Sequence, residues 1–183
     1  RLSDLDQALR ARAQAHARAL LRDSEIERAR QEAEQLRKQA AALDAKASAA
    51  ERAALRDALT GLANRRALDQ RLQALADDPS ASAPWVAVVD IDHFKRVNDQ
   101  HGHETGDQVL RQVAALLAKG LRDRDFAARS GGEEFVILLA VASAELAREV
   151  CTRLLRAVEA FNWRPLLPER GVTVSIGLAH AHG

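Results

Sequence analysis

A pair of glycines followed by a pair of glutamates is the feature of this chain that points most directly to chemistry. The pentapeptide runs Gly131-Gly132-Glu133-Glu134-Phe135. Two adjacent glycines allow a tight backbone reversal and leave no side chain to keep a phosphate group away from the main chain. The apolar run that begins at Phe135 is typical of a buried strand, so we expect both carboxylates at the mouth of a hairpin. Carboxylates in this position suit the binding of Mg²⁺ and phosphate groups.

A second acidic segment follows another apolar run. Residues 86–89 predict a short buried strand, and Asp90 and Asp92 follow it with one residue between them. Alternation puts these two carboxylates on one face if the chain stays extended. Mg²⁺ takes oxygen ligands, usually one or two carboxylates together with substrate phosphates. If the two strands lie side by side, Asp90 and Glu133 are placed to share a metal ion.

These segments belong to a set of five ordered motifs that resembles the GGDEF family of bacterial diguanylate cyclases. The motifs occupy residues 57–66, 90–98, 102–107, 131–135 and 172–177. The resemblance covers residues 57–183, which we therefore predict to be the catalytic domain, and it leaves residues 1–56 as a separate segment. Related domains continue into a further helix and strand, which we expect to be absent here. On that basis we expect this stretch alone to bind GTP weakly, we leave open whether it turns over, and we expect the longer protein to be active.

The resemblance implies a reaction in which two GTP molecules condense into cyclic di-GMP and release two pyrophosphates. Each 3′-hydroxyl attacks the α-phosphate of the other nucleotide, so two sites must face each other in a homodimer. Mg²⁺, with Mn²⁺ as an alternative, would stabilise charge on the attacking and leaving oxygens. Two other interpretations stay open. The domain could be catalytically silent and bind cyclic di-GMP or GTP as an effector, or it could serve as a dimerising signal relay.

The same resemblance assigns residues to the metal and the phosphates. Asp90 and Glu133 match the metal-ligand positions, with the carbonyl of Ile91 as an additional oxygen ligand. Glu134 matches the position that binds a second metal or deprotonates the 3′-hydroxyl. Lys95 lies where a cation can meet the triphosphate. Each of these roles is an expectation from the motif match.

A further group of matching residues is expected to bind the nucleotide itself. Asn98 and Asp107 match the pair that reads guanine, because an amide supplies a donor and an acceptor while a carboxylate accepts from the base N–H groups. Phe94 belongs to the same substrate-binding set. Gly131 and Gly132 are expected to let the backbone approach the phosphates closely.

Several of these residues have simpler structural interpretations. Glu134 could be a partner in a surface ion pair. Lys95 could be a solvated loop lysine, and Asp107 could be the N-cap of a helix that begins there. Three histidines between positions 93 and 103 resemble a zinc cluster. No cysteine accompanies them, so we do not predict a zinc site.

A second ligand site is predicted next to the glycine pair. Arg122 and Asp125 have the spacing of the inhibitory arginine-x-x-aspartate motif that many diguanylate cyclases carry. Arginine grips phosphate or a guanine edge through two hydrogen bonds, and aspartate accepts from guanine N–H groups, so the pair suits cyclic di-GMP. Arg153, on the helix that follows, is a candidate for a second phosphate contact.

Residues 1–56 contain no glycine, proline or aromatic residue and consist mostly of good helix formers. An apolar seam at alternating steps of three and four residues predicts a long helix in a parallel dimeric coiled coil that acts as a signalling linker. Because the seam is rich in alanine, it buries little area, and a single solvated helix stays open as the alternative. The seam consists of Ile26, Ala29, Ala33, Leu36, Ala40, Leu43, Ala47, Ala50 and Ala54.

The remaining patterns predict an α/β (α+β) fold, and the resemblance specifies an antiparallel-centred sheet flanked by helices, as in the palm of nucleotide cyclases and polymerases. Besides 86–89, we expect strands at 135–139 and 172–178, helices at 59–75, 107–121 and 144–160, and a loop at 77–84. We expect the single cysteine, Cys151, to be a buried apolar residue of the third of these helices.

Composition sets few limits on function. The 183 residues carry a formal net charge of +1, so no overall field favours nucleic acid, and no apolar run approaches the ~20 residues that a membrane span needs. The chain begins at Arg1 and has no methionine, so we expect it to be part of a longer protein. We place it in the cytoplasm, with an upstream sensor domain and a parent protein that is free or membrane-attached.

Overall fold

The computed structural model describes residues 2–78 and 82–181. Positions 79–81 of the predicted loop lie outside the described residues. The chain divides into two compact units, Arg1–Arg52 and Ala53–Gly183. No helix among the described residues is both long enough and apolar enough to cross a membrane.

The first unit is formed by most of α1, a single helix that runs from Leu2 to Ala54. Its 53 residues correspond to a length of about 80 Å at 1.5 Å per residue. Leu36 and Leu43 of the predicted seam are 66% and 67% exposed. The side chains of Ile26 and Ala29 lie outside the described residues. Among the described side chains of the seam, Leu36 and Leu43 are therefore left without a covering partner in the single chain.

The second unit contains a four-stranded antiparallel sheet with the order β2-β3-β1-β4. This confirms the predicted mixed fold with an antiparallel sheet flanked by helices. The elements are α2 (Arg65–Ala76), β1 (Trp85–Ile91), α3 (Phe94–His101), α4 (His103–Lys119), β2 (Phe126–Gly131), β3 (Glu134–Leu139), α5 (Ala144–Glu159) and β4 (Val174–His180).

The two faces of the sheet differ in what covers them. On one face, alternate residues such as Val89, Phe135 and Val174 join the main core with α3, α4 and α5. On the other face, α2 covers only the β2 side, through a small cluster of Leu68, Ala128 and Leu138. Cys151 is buried in the main core, as expected. The rest of the second face stays open, and it carries the polar residues at the end of β1.

Two expected helix starts are wrong, and one short helix was not expected. The helix expected from residue 59 begins at Arg65, because the Asn64 side chain caps it by accepting from the N–H of Ala67. The helix expected from Asp107 begins at His103, so Asp107 is not its N-cap. The segment after Asp92 forms the short helix α3, which the sequence analysis did not anticipate. Gly102, with φ of 82°, separates α3 from α4.

Candidate functional site

An acidic edge lies at the end of β1. Asp90 is in register with Glu134 on β3 and with Ser175 on β4, so three strands bring polar side chains to the same place. Glu133 lies in the two-residue turn between Gly131 and Glu134, which are paired across the hairpin. The adjacency of β1 and β3 is the arrangement that a metal shared by Asp90 and Glu133 requires.

Electrostatics at this edge disfavours a free Asp90 carboxylate. Burial raises the pKa of Asp90, and the negative charges of Glu133 and Asp92 raise it further. Among the described residues, no side chain or main-chain group donates a hydrogen bond to the Asp90 carboxylate. An oxygen ligand that is repelled by neighbouring carboxylates and has no donor is ready to bind a cation.

Asp92 is engaged differently from Asp90. Its carboxylate accepts hydrogen bonds from the hydroxyls of Ser175 (2.7 Å) and Thr173 (2.5 Å). These two hydrogen bonds, the Ser175 bond first, lower the pKa of Asp92 despite its partial burial, and His93 lowers it slightly more. Asp92 is therefore tied to the start of β4, a role that the sequence analysis did not anticipate.

The glycine turn is open on its outer side. Gly132 has a φ of 47°, in the left-handed region that favours glycine. A Cβ added at Gly131 or at Gly132 would meet no atom within 4 Å. Protein packing therefore does not require the lack of side chains here, and the main chain is accessible to a ligand.

Arg129 donates hydrogen bonds to the main chain of this turn. Its Nε and Nη2 donate to the carbonyl oxygen of Gly132 at 2.9 and 2.7 Å. Its Nη1 lies 3.2 Å from Oδ1 of Asp57, and this ion pair is mostly buried. The Asp57 carboxylate also accepts from the main-chain N–H and the hydroxyl of Thr60. A single arginine thus links the glycine turn to the first turn that follows α1.

The Asp57–Arg129 pair was missed as a functional feature, although a signal existed. Asp57 and Thr60 have the spacing of a side-chain-capped turn, and Arg129 stands two residues before the glycine pair. Burial raises the pKa of Asp57, but the hydrogen bonds from Thr60 and the bond and charge of Arg129 outweigh this, so the net pKa is lowered.

The residues expected to read the base lie on α3 and α4. Gly106 allows these helices to approach, because a Cβ there would lie 1.9 Å from Oδ1 of Asn98. Asp107 directly follows Gly106 in α4, so it is next in sequence to the point where α4 approaches Asn98. Lys95 is exposed on the first turn of α3. Phe94 is only 6% exposed, which leaves its main chain, rather than its ring, as the part that could face a ligand.

The residues of the predicted inhibitory site lie in and around a separate cavity of about 600 Å³, which Arg122, Arg153, Arg71 and Arg124 help to line. Asp125 accepts from the N–H of Arg122 and the N–H of Ala140, both at 3.0 Å. Arg153 donates to the carbonyl oxygen of Gly120 at 2.8 Å. These bonds fix the positions of the predicted residues around a strongly basic cavity.

The described residues contain no group of three or more His, Cys, Asp or Glu side chains arranged to hold a metal ion. The carboxylates at the end of β1 would therefore need oxygen ligands from other sources. The Ile91 carbonyl and the phosphates of a bound nucleotide are such sources, and this pattern is usual for Mg²⁺.

Family comparison identifies the second unit. The family model described as "Diguanylate cyclase, GGDEF domain" matches residues 54–183. Diguanylate cyclase DgcP of Pseudomonas aeruginosa is 47% identical over 102 residues, which are 54% of this chain and 15% of that protein. The probable diguanylate cyclase DgcT of Escherichia coli is 43% identical over 95 residues, which are 50% of this chain and 21% of that protein. The chain thus matches only a small part of these longer relatives.

Solved structures resemble both the domain and the helix that precedes it. The coiled coil and GGDEF domain of DgcB from Caulobacter crescentus, in complex with c-di-GMP, has a TM-score of 0.71 and 34% identity over 79% of this chain and 78% of that chain. Diguanylate cyclase SiaD from Pseudomonas aeruginosa, in complex with its activator SiaC, has a TM-score of 0.65 and 29% identity over 100% of this chain and 76% of that chain. The chain belongs to the GGDEF family of bacterial diguanylate cyclases.

Proposed function

We propose that this chain is a diguanylate cyclase that condenses two GTP molecules into cyclic di-GMP and two pyrophosphates. The observation that carries the proposal is the register of Asp90 with Glu134, with Glu133 in the adjoining glycine turn. Three carboxylates at one sheet edge, next to an accessible main chain, can bind the divalent cation and the phosphates of a nucleoside triphosphate. Diguanylate cyclase activity in the named relatives agrees with this assignment.

The carboxylates fit a divalent cation. Asp90, Glu133 and the carbonyl of Ile91 would hold Mg²⁺, or Mn²⁺ in its place, because repulsion between these acids is relieved when a cation binds. The chemistry that a bound cation supplies is stabilisation of negative charge on the attacking and leaving oxygens. Glu134, in register with Asp90, is the candidate for holding a second ion or accepting the proton of the 3′-hydroxyl.

The glycine turn and α3 would hold the triphosphate. The open space outside Gly131 and Gly132 lets phosphate oxygens approach the main chain. Lys95 is exposed on the first turn of α3 and can supply positive charge to the same phosphates. The main chain of Phe94, at the start of α3, is the part of that residue that would contact the nucleotide.

Asn98 and Asp107 would select guanine. The amide of Asn98 is held against Gly106, so its donor and acceptor have a defined direction. Asp107 is partly exposed and can accept from the N–H groups of guanine. Adenine lacks that pair of donors, and an unpaired Asp107 would penalise its binding.

The reaction needs two copies of the domain, because each GTP supplies the attacking hydroxyl for the other. The exposed seam of α1, with Leu36 and Leu43, is a suitable surface for pairing two chains. The solved structure of DgcB includes a coiled coil with its GGDEF domain. We propose that α1 joins two catalytic domains in a homodimer and connects them to an upstream sensor in the full-length protein, which we place in the cytoplasm.

Product would inhibit the enzyme from the cavity that Arg122 and Arg153 line. Four arginines, Arg71, Arg122, Arg124 and Arg153, provide positive charge for the phosphates of cyclic di-GMP. Asp125 is fixed by main-chain hydrogen bonds and keeps acceptor capacity for guanine. DgcB, which this chain resembles, was solved in complex with c-di-GMP.

The test of the central proposal is formation of cyclic di-GMP from GTP and Mg²⁺, followed by chromatography. We expect product from the full-length protein that contains this chain, at least ~100-fold less from its Glu134→Gln variant, and unchanged product from its Glu159→Gln variant, a matched exposed glutamate on α5. Equal activity of Glu134→Gln and the unmodified protein would refute the assigned role of Glu134. Absence of product, with cyclic di-GMP binding retained, would instead favour a silent effector.

A further inference from the structure

The carboxylate of Asp92 forms a clamp between the end of β1 and the start of β4. Its Oδ1 accepts from Ser175 Oγ at 2.7 Å and its Oδ2 accepts from Thr173 Oγ1 at 2.5 Å. The N–H of Asp92 donates to the carbonyl oxygen of Thr173 at 3.0 Å. Three hydrogen bonds therefore converge on one residue at the edge of the sheet.

The clamp determines which groups the neighbouring Asp90 meets. Ser175 is the β4 residue in register with Asp90, yet its hydroxyl donates to Asp92. Because Asp92 takes this hydroxyl, the described residues offer Asp90 no donor, and its oxygens stay available. Without the Asp92 carboxylate, Ser175 would be free to donate to Asp90 and compete with a cation.

The clamp also fixes the backbone on both sides of Ile91. Ile91 pairs with Val174 on β4, directly between the two hydroxyl residues. After Asp92, the chain turns sharply at His93, whose φ of 57° is unusual for a residue with a side chain. Anchoring Asp92 to β4 holds the Ile91 carbonyl in place before this turn leads into α3.

We propose that Asp92 is a positioning residue, which holds Asp90 and the Ile91 carbonyl ready for a divalent cation without itself contacting the cation or the nucleotide. The proposal rests on the proposed function of the same edge. Thr173 and Ser175 belong to the same clamp, so removing the Asp92 carboxylate or removing both hydroxyls should weaken cation binding to the same extent. Outer groups of this kind commonly change metal affinity by about 10- to 100-fold.

The test measures Mn²⁺ binding by electron paramagnetic resonance, with a GTP analogue that has a methylene bridge between its α- and β-phosphates. The variants are Asp92→Ala, the double variant Thr173→Val with Ser175→Ala, and the combination of all three substitutions. We expect each of the first two to weaken Mn²⁺ binding about tenfold or more. The combined variant should bind Mn²⁺ no more weakly than either of the first two variants, because the effects of substitutions at directly interacting residues do not add.

Two results would overturn the proposal. Loss of Mn²⁺ binding in Asp92→Ala with normal binding in the hydroxyl variant would make Asp92 a direct ligand. Normal binding in both, with only the thermal midpoint lowered, would leave the clamp a purely structural role. Thr173 and Ser175 are exposed, so the hydroxyl variant is expected to fold even if Asp92→Ala does not. Cyclic di-GMP formation, measured separately on the full-length protein without substitutions, distinguishes failure of this proposal from failure of the proposed function.

Discussion

Gly132 combines a backbone conformation that favours glycine with a position on the open side of the turn. Its φ of 47° disfavours any side chain, and Arg129 donates hydrogen bonds to its carbonyl oxygen. The outer side of the turn is left for a ligand. Gly61 has a comparable φ of 74° and the same open surroundings, but it lies in the turn after α1. A side chain at either glycine would strain the backbone, but only one at Gly132 would also block the proposed phosphate position. Comparing the two positions therefore distinguishes these two effects.

We therefore expect Gly132→Ala and Gly61→Ala to lower stability by a similar amount, roughly 1 kcal/mol each, because both place a Cβ at positive φ. Only Gly132→Ala should raise the KM for GTP, by about tenfold or more, since its methyl group enters the proposed phosphate space. Steady-state kinetics and urea unfolding measure the two effects. Equal kinetic losses in both variants would contradict a phosphate role for the turn.

Asp57 should make stability depend on pH in the acid range. Its pKa in the folded protein is lowered, so the stabilisation is fully present above the ordinary aspartate pKa of about 3.9 and is lost as pH falls through the lower folded value. We expect Asp57→Asn to be less stable than the unmodified protein at pH 6, with the difference shrinking below about pH 4. Urea unfolding at several pH values measures the free energy of unfolding of both proteins. A difference between them that stays constant from pH 6 to below pH 4 would show that titration of Asp57 does not contribute to stability.

At the residue scale, motif types and spacing were enough to predict the acidic edge. Asp90 follows one apolar run and Glu133 precedes another, so the sequence predicts a shared metal site if the two strands lie side by side, and β1 does pair with β3. The partners of Asp92 could not be predicted, since Thr173 and Ser175 lie more than eighty positions away. The same holds for Asp57 and Arg129, which are 72 positions apart. Local patterns do not specify such distant hydrogen bonds.

At the scale of elements, the contact between α3 and α4 sets the geometry of the proposed guanine site. Gly106 is buried at this contact, and a Cβ there would collide with the Asn98 amide at 1.9 Å. Gly120, at the end of α4, would instead place a Cβ 2.4 Å from Leu154 Cδ2 in the core. Both substitutions crowd α4, but only one of them displaces a residue of the proposed site.

We expect Gly106→Ala to lower kcat/KM for GTP by about 100-fold and to reduce the preference for GTP over ATP, because Asn98 must move. Gly120→Ala should lower the free energy of unfolding by about 1–3 kcal/mol through overpacking and leave the preference for GTP unchanged. Competition assays with both nucleotides measure the preference. Unaltered selectivity in Gly106→Ala would argue against base reading by Asn98.

The loop between α4 and β2 carries the proposed regulation. We expect Arg122→Ala to retain turnover and to lose inhibition by cyclic di-GMP, with its inhibition constant raised about tenfold or more, because a bidentate phosphate contact disappears. Arg111→Ala, on an exposed position of α4, is the matched control and should remain inhibited. Initial rates at increasing product concentration provide the measurement. Normal inhibition of Arg122→Ala would refute the proposed site.

The spacing of apolar residues predicted most of the helices and strands, but it did not predict all of their first and last residues. The helix from residue 59 was extended too far because Leu59 and Leu62 have helical spacing, although they pack on the main core from a turn. The short helix α3 was missed because its eight residues offer barely two turns of pattern. Its first residue, Phe94, enters the core, and tertiary packing rather than local propensity accounts for the helix.

At the scale of the whole molecule, catalysis is proposed to depend on α1. Leu36 and Leu43 are one heptad apart and exposed, so polar substitution of both should not harm the single chain. We expect Leu36→Ser with Leu43→Ser to weaken dimerisation and to lower the specific activity at low protein concentration. Light scattering after gel filtration measures the mass. Lys38→Ser with Ala45→Ser, on the opposite side of the helix, is the control, and equal masses of the two double variants would exclude the seam.

The turn after α1 also has a consequence for protein engineering. Main-chain hydrogen bonds join Asp57 to Leu62, Gly61 to Asp57, and Asn64 to Leu55. Residues 55–64 therefore form a loop closed by its own hydrogen bonds, and this loop is part of the second unit. A chimaera that exchanges the helix for a different input module should be spliced before Leu55. A splice within this loop would break the ion pair between Asp57 and Arg129. Arg129 would then no longer be held in position to donate to the carbonyl oxygen of Gly132.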